Sequence, residues 1–311
     1  MKYGFGIDLG GTTVKLAYFD QDGNMLDKWE IPTNTAENGK YILPDIAAAI
    51  LKYMEEKNIS KDQIIGAGIG VPGSVNNQGV VAGCDNLGWG RFNVKDALEP
   101  LLGMHVVAGN DATVAALGEC WKGGGQGYMS MVLITLGTGV GGGIIIEGKP
   151  VHGSTGAGGE IGHMVLNRNE TAVCGCGKRG CVEQYCSATG IARLARLALE
   201  NSDTPSSLRA LEKVTTKDVF DALKNGDKLA QEVMDQVYAY MGEFIANICC
   251  VVNPEIVVFG GGVSKAGQVL LDGVKKHFAK WGYHACQDTK FALATLGNDA
   301  GAYGAFKLVA E

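Results

Sequence analysis

Between Thr171 and Cys186 the chain reads TAVCGCGKRGCVEQYC, and four of its nine cysteines fall in that stretch. Thiolate sulfur binds soft metals, attacks electrophiles or pairs as a disulfide, and the redox compartment decides among these. The first residues, MKYGFGIDLGG, carry no basic segment followed by a long apolar core. Elsewhere no apolar run is long enough to span a membrane without glycines or charges. A soluble cytoplasmic chain is expected, with its cysteines as free thiols or metal ligands. Cys84, Cys120, Cys249, Cys250 and Cys286 stand alone or in apolar surroundings and are expected as small buried hydrophobes.

Three glycine-rich stretches form a second chemical group. GIDLGGTTVK places Asp8, Gly10, Gly11, Thr12 and Thr13 at the end of an apolar strand, LITLGTGVGGG does the same for Thr138 and Gly139, and VVFGGGVS for Gly261 and Gly262. The second stretch contains a formal G-x-G-x-x-G, which in a dinucleotide-binding fold is followed by a helix whose N-terminus receives the pyrophosphate. Here GGIIIEG follows, and it reads as a strand. A strand-glycine-strand hairpin instead turns its backbone N–H groups outward, and without a Cβ an anion can approach them closely. One such turn alone reads equally well as a tight hairpin with no ligand. Two hairpins bearing the Thr12, Thr13 and Thr138 hydroxyls, with a third glycine turn before a helix, favour a polyphosphate held from both sides.

VVAGNDATVAALGEC ends a buried-looking strand at Asn110 and opens a helix at Asp111. Either residue makes a good helix cap, and a carboxylate there is also a candidate general base. The local sequence leaves both readings open.

The elements that must position these groups follow from composition and periodicity. With 311 residues, 46% hydrophobic and 19% charged, the chain can bury a sizeable core and has room for two domains. A net charge of -6 provides no basic field for nucleic acid or an anionic membrane, so a small-molecule partner is expected. The stretch from Tyr3 to Pro32 reads as strand, Gly-Gly-Thr-Thr turn, strand, Asp-Gly-Asn turn, strand, and the stretch from Ser130 to Gly153 reads the same way. One unit therefore occurs twice. After the first copy come a helix near Ala47–Lys57, the strand IIGAGIGVPG, and the strand HVVAGN entering a helix. After the second come several helices, the longest near Lys228–Val251, then EIVVFGGGVS and a further helix. Two α/β halves facing each other imply a cleft.

The three glycine stretches resemble the phosphate-1, phosphate-2 and adenosine motifs of the actin, hexokinase and Hsp70 superfold. Gly-Gly-Glu-x-Gly-His at 158–163 and Cys-x-Cys-Gly-x-x-Gly-Cys at 174–181 narrow the resemblance to the ROK family of repressors and sugar kinases, and DNLGWG at 85–90 resembles its bacterial glucokinases. It runs from about Gly4 to Gly304. The fold it implies is α/β, a duplicated actin-like ATPase (ribonuclease H-like) fold with two domains flanking a cleft. A smaller N-terminal domain would span 1–118 with a C-terminal helix near 298–311 returning to it, and a larger one 119–297 with a zinc loop at 163–186.

The resemblance also assigns roles. Cys174, Cys176, Cys181 and His163 become a structural zinc site, since three thiolates and an imidazole form a soft tetrahedral set that leaves no position open for chemistry. A disulfide needs an oxidising compartment, and Cys174 with Cys176 is a poor spacing for one. Cys186 falls outside the ligand pattern and is expected as a spectator. Glu160, His163 and Glu183 become sugar contacts, with Asn110, Asn86 and Gly73 beside them, and Asp111 becomes the base for the hydroxyl being phosphorylated. Asp8 is expected to hold Mg²⁺ through water, while Lys15 is expected as a strand residue rather than a phosphate clamp. Gly10, Gly11, Thr12, Thr13, Thr138, Gly139, Gly261 and Gly262 would bind ATP.

The activity implied is ATP-dependent phosphorylation of glucose at the 6-hydroxyl, with glucose and Mg-ATP as partners and a homodimer or homotetramer as the assembly. The alternatives are another hexose such as N-acetylmannosamine, mannose or fructose, a sugar-responsive repressor, or a non-kinase ATPase. A ROK repressor carries a helix-turn-helix before the first strand, and here that strand is expected by about Tyr3.

Overall fold

Apolar residues run through β1 (Tyr3–Leu9) and β2 (Thr13–Asp20), and the glycine turn between them folds the two into an antiparallel hairpin. The computed structural model describes residues 2–310. Asp20 tightens the next turn by accepting from the N–H groups of Asp22 and Asn24, and β3 (Met25–Pro32) then pairs antiparallel with β2. A short turn, α1 (Ala36–Gly39), and the helix α2 (Ile42–Glu56) lead to β4 (Ile64–Val71), which lies parallel to β1. After the small ribbon of β5 (Val80–Val81) and β6 (Phe92–Asn93), the helix α3 (Val94–Leu102) delivers the chain to β7 (Val106–Asn110), parallel to β4. α4 (Asp111–Lys122) follows directly.

The pattern then recurs. β8 (Met131–Leu136), β9 (Val140–Ile146) and the short β10 (Lys149–Pro150) form the second meander. Four helices come next: α5 (Glu183–Cys186), α6 (Ala188–Asn201), α7 (Thr216–Lys224) and α8 (Lys228–Val252). β11 (Ile256–Gly260), α9 (Gln268–Trp281) and β12 (Lys290–Leu293) complete the sheet, and α10 (Ala300–Ala310) closes the chain. The first sheet has the order β3-β2-β1-β4-β7 and the second β10-β9-β8-β11-β12, so each strand of one has its counterpart in the other. This is the duplication read from the two glycine hairpins.

Contacts divide the chain into one unit of Met1–Met131, Gly143–Gly159 and Thr295–Glu311, and another of Val132–Gly142 and Glu160–Ala294. In the first, Phe5, Ile7, Leu16, Ile46, Ile50 and Ile69 lie in one apolar core under α2 and α3. In a separate apolar cluster with Ala17 and Phe19, α10 contributes Ala302 and Phe306 and packs against β1, β4 and α4 at a separation that only glycine allows. A Cβ at Gly68 would overlap the carbonyl of Ala305, and one at Gly304 the carbonyl of Val114. Part of the high glycine content therefore serves packing. The returning segment is also pinned by Glu119, a fully buried carboxylate that accepts the N–H groups of Gly124, Thr295 and Leu296 at 2.8–3.0 Å.

Two expectations need correction. The first helix begins at Ile42 rather than near Ala47, because Pro44 falls in its first turn, where a missing N–H costs no intrahelical bond. Cys250, expected among the buried thiols, is exposed. Successive residues on a helix point about 100° apart, so burying Cys249 turns Cys250 outward. Cys84, Cys120, Cys249 and Cys286 are buried as expected. Among the described residues no helix is long and apolar enough to cross a membrane.

Candidate functional site

In the first unit the turn after β1 is braced from β3's end. Thr33 Oγ1 donates to Gly10 O at 2.6 Å and Thr33 N to Thr12 O at 2.9 Å, leaving Gly11 and Thr12 exposed and Thr13 half-buried. Asp8, half-buried on the same strand, has Lys15 Nζ 3.3 Å from its Oδ2. Lys15 also donates to Asn298 O, so it is a strand residue engaged with its own unit, in accord with the sequence reading.

At the other side of that sheet β7 ends at Asn110. Asn110, not Asp111, is the helix cap: its Oδ1 accepts the N–H of Thr113 at 3.0 Å. Its amide nitrogen donates to Gly73 O at 3.0 Å and to Asp111 Oδ1 at 2.9 Å, and Asp111 Oδ1 also accepts the N–H of Ala112 at 2.8 Å. Both amide hydrogens of Asn110 are thereby committed, so toward any further group it can act only as an acceptor through Oδ1. The Asp111 carboxylate is oriented by two donors at the start of α4, where negative charge is favoured.

Gly73 is left-handed, with φ 91°, and a Cβ there would stand 2.7 Å from Gly83 O, so this turn and the one before Cys84 touch backbone to backbone. Beyond Cys84 the exposed Asn86 rides on a tight loop closed by reciprocal hydrogen bonds between Cys84 and Trp89. Trp89 Nε1 donates to Gly39 O at 3.1 Å, where Glu37, Asn38 and Gly39 all have positive φ. Two non-glycine residues in that region cost on the order of 1–3 kcal/mol each, and the packing of Gly39 against Leu87 O and Trp89 holds them there.

In the second unit the turn after β8 is Gly137–Thr138–Gly139. A Cβ at Gly139 would collide with Glu183 Oε2, the same oxygen that accepts the N–H of Val140 at 3.0 Å. The third glycine turn follows β11: Gly261 has φ 80° and packs on the backbone of Leu136. By contrast, Cβ atoms at Gly11, Gly137 and Gly262 would meet nothing within 4 Å, and none of the three is left-handed. The fold does not require glycine at these positions, one in each turn. Thr138 and Gly262 line a cavity of about 630 Å³ together with Thr189, Arg196, Thr216 and Phe220. That size falls in the range of roughly 300–1,000 Å³ occupied by small-molecule sites.

The cysteine stretch folds as a compact loop. Cys174 N donates to Lys178 O and Gly177 N to Cys174 O, and the loop gathers three sulfurs beside His163, carried by the turn Ile161–His163. Among the described residues, His163, Cys174, Cys176 and Cys181 bring one donor atom each to within 4.8 Å of one another. Cys176 and Cys181 sulfurs are 3.7 Å apart and Cys174 sulfur is 3.9 Å from His163 Nδ1. A zinc tetrahedron with bonds of about 2.0–2.3 Å separates its ligand atoms by roughly 3.5–3.8 Å, so the cluster fits a structural zinc site. Burial pushes the Cys181 thiol up to about 12 and Cys174 upward, whereas the N–H of Lys178 draws Cys176 down. Cys186 is fully buried, away from this set, and burial raises its thiol too. Glu160 is exposed at the start of the His163 turn, and Glu183 Oε1 lies 3.6 Å from Cys174 sulfur.

Three residues that hold the cysteine loop or the Asn86 loop escape a reading of local sequence. Gln184 accepts from Gly180 and Cys181 and donates to Ala172 O. Glu170 accepts from the N–H groups of Thr171 and Ala172, from Tyr185 OH at 2.7 Å and from Arg193 at 2.9 Å. Trp89 does the same for the Asn86 loop. Beside any near neighbours, each bonds a partner far along the chain, Gln184 with Ala172, Glu170 with Arg193 and Trp89 with Gly39, and no periodic signal marks those.

The ROK family profile matches residues 4–311. A glucokinase of Halalkalibacterium halodurans is 44% identical over 311 residues, covering 98% of this chain and 94% of that protein. The N-acetylgalactosamine kinase AgaK of a Shewanella species is 31% identical over 312 residues, with 97% and 94% covered. The crystal structure of a ROK family glucokinase from Streptomyces griseus, in complex with glucose and AMPPNP, aligns with a TM-score of 0.75 at 32% identity, covering 98% of each chain.

Glu170 supplies a pH test of how the cysteine loop is held. Burial alone would raise its carboxyl, but the N–H of Ala172, Tyr185 OH and the Arg193 guanidinium outweigh burial and bring it from 4.5 to about 2. A depressed folded-state value means stability that is present above the ordinary value and is lost as pH falls from there toward 2. Glu170→Gln is expected to lose about 2–4 kcal/mol at pH 7. In urea unfolding at stepped pH, the wild type should lose stability faster than the variant between about pH 5 and pH 2. Parallel acid limbs would show that this carboxylate is not the group responsible.

Proposed function

Because the chain belongs to the ROK family and has its duplicated, two-domain actin-like fold, we propose that it is a glucokinase that transfers the γ-phosphoryl group of ATP to the 6-hydroxyl of glucose. The observation that carries this reading is a pairing within one chain. A carboxylate fixed by two donors, Asp111, accompanies three glycine turns in which Gly11, Gly137 and Gly262 answer no need of the fold. Bare backbone N–H groups suit phosphate oxygens, and a carboxylate held at a helix start suits proton removal from an alcohol. The 44% identity to a glucokinase favours glucose over other hexoses, and the likeness to an N-acetylgalactosamine kinase keeps a rival sugar in view.

Asp111 would accept the proton of the 6-hydroxyl as that oxygen attacks the γ-phosphorus in line. Asn110 would keep the carboxylate aimed through its amide and offer its Oδ1 to a neighbouring sugar hydroxyl. Asn86, Gly73, Glu160, His163 and Glu183 would satisfy the remaining hydroxyls. Gly10, Gly11, Thr12, Thr13, Thr138 and Gly139 would cradle the phosphates, and Gly261 and Gly262 the adenosine side. Asp8 would hold Mg²⁺ through its water shell, as a hard cation that keeps several waters prefers, and the ion would supply neutralisation of the phosphates' negative charge. Zinc would be held by His163, Cys174, Cys176 and Cys181 with every position taken by protein, and so would supply shape rather than chemistry. Positioning would provide most of the rate.

The central test is kinetic. Asp111→Asn should fold and bind glucose almost normally while kcat falls by at least about a hundredfold. An unchanged kcat would leave Asp111 a structural residue.

Across a sugar panel at saturating Mg-ATP, glucose should lead, mannose and glucosamine follow weakly, and N-acetylated sugars trail by roughly a hundredfold or more in kcat/KM. An N-acetylhexosamine that equals glucose would remove the glucose assignment and leave a sugar kinase.

Metal analysis should find about one zinc per chain, and Cys176→Ser should lose it together with stability and sugar affinity. Active protein without zinc, or a variant of undiminished affinity, would overturn the metal reading.

A further inference from the structure

We infer that the segment Glu183–Thr189 is a clamp on the turn Gly137–Val140, and that Thr189 is a positioning residue setting affinity for the nucleotide's phosphates. This rests on the proposal that the turn receives those phosphates. The clamp grips three positions of the turn. Ala188 N donates to Gly137 O at 2.8 Å, Thr189 Oγ1 donates to Thr138 O at 2.6 Å, and Glu183 Oε2 accepts the N–H of Val140 at 3.0 Å. The two N–H groups between the outer anchors belong to Thr138 and Gly139, and their direction follows from where the anchors hold the chain.

The clamp is itself anchored on both flanks. Ser187 caps α6 by accepting the N–H of Gly190, and its hydroxyl lies 2.9 Å from that of Thr189. With Thr189 donating to Thr138 O, Ser187 becomes the donor to Thr189, so the turn is tied through two hydroxyls to the start of a long helix. Thr216 at the start of α7 donates to Ala188 O. At the other end, Glu183 Oε1 lies 3.6 Å from Cys174 sulfur while Oε2 holds Val140. One carboxylate therefore touches the cysteine cluster and the glycine turn at once. Rotating it away would release Val140, and its present position is open only because Gly139 has no Cβ. Thr138 and Thr189 both stand on the wall of the 630 Å³ cavity, so a shift of the turn alters that wall directly.

The test uses the full-length, metal-loaded protein and two variants. Thr189→Val keeps the shape and deletes the hydroxyl; Gly139→Ala presses on Glu183 Oε2 from the turn's side. Each should raise the KM for ATP and the Kd for a non-hydrolysable ATP analogue about five- to tenfold, as expected for losing a hydrogen bond. The glucose Kd measured without nucleotide should change less than twofold for Thr189→Val, and Thr189→Ser should restore the nucleotide values. Wild-type nucleotide affinity in Thr189→Val, or equal weakening of glucose and nucleotide by that variant, would overturn the clamp. A wild-type protein that binds glucose but no ATP analogue would instead overturn the nucleotide reading on which the clamp depends.

Discussion

A backbone can approach another backbone closely only where no Cβ stands between them, and that single steric allowance underlies both the packing and the candidate site. Gly68 and Gly304 let α10 settle onto β4 and α4. The same allowance lets Gly39 sit under Trp89, Gly73 against Gly83 and Gly139 against Glu183. At these contacts a carbonyl or carboxylate occupies the space that a methyl group would need. The resulting structure is held by short backbone contacts with little room to slide, which suits groups that must be placed to within a fraction of an ångström.

Hydrogen-bond capacity is the second constraint. Asn110 caps α4, supports Gly73 and orients Asp111 with one amide, so its chemistry toward a substrate is reduced to acceptance by Oδ1. Glu183 likewise divides its two oxygens between the cysteine cluster and Val140. Groups used in this way are rigid, because moving them strands a buried partner at a cost of about 1–3 kcal/mol. Rigidity of this kind is what electrostatic and positional catalysis asks of a site, and it explains why candidate substrate residues are also structural ones.

The cysteine loop shows how a region with little secondary structure is kept in place. Glu170, Gln184 and Arg193 supply the hydrogen bonds that a strand ladder would otherwise provide, and Tyr185 anchors them in an apolar setting. The four metal-type donors then converge from His163 and from a loop only as long as its turns require. Polar bracing and ligand convergence reinforce each other, since each limits the conformations over which the other would have to be ordered.

Much of this was legible in the residues themselves. Apolar runs broken by Gly-Gly-Thr-Thr and Gly-Thr-Gly specify two hairpins, because neighbours along the chain set that pattern, and the cysteine motif carries the family resemblance that implied Cys174, Cys176 and Cys181 as one ligand set. Other features depend on partners distant in sequence. That Asn110 rather than Asp111 caps the helix, that Cys250 faces outward, that Gly68 serves packing while Gly11 does not, and that Glu183 reaches Val140 were all decided by the tertiary structure. Periodicity reports which face a residue shares with its neighbours. It carries no record of which atom from another part of the chain arrives at hydrogen-bond distance, and that arrival determines what each polar group has left to offer a ligand.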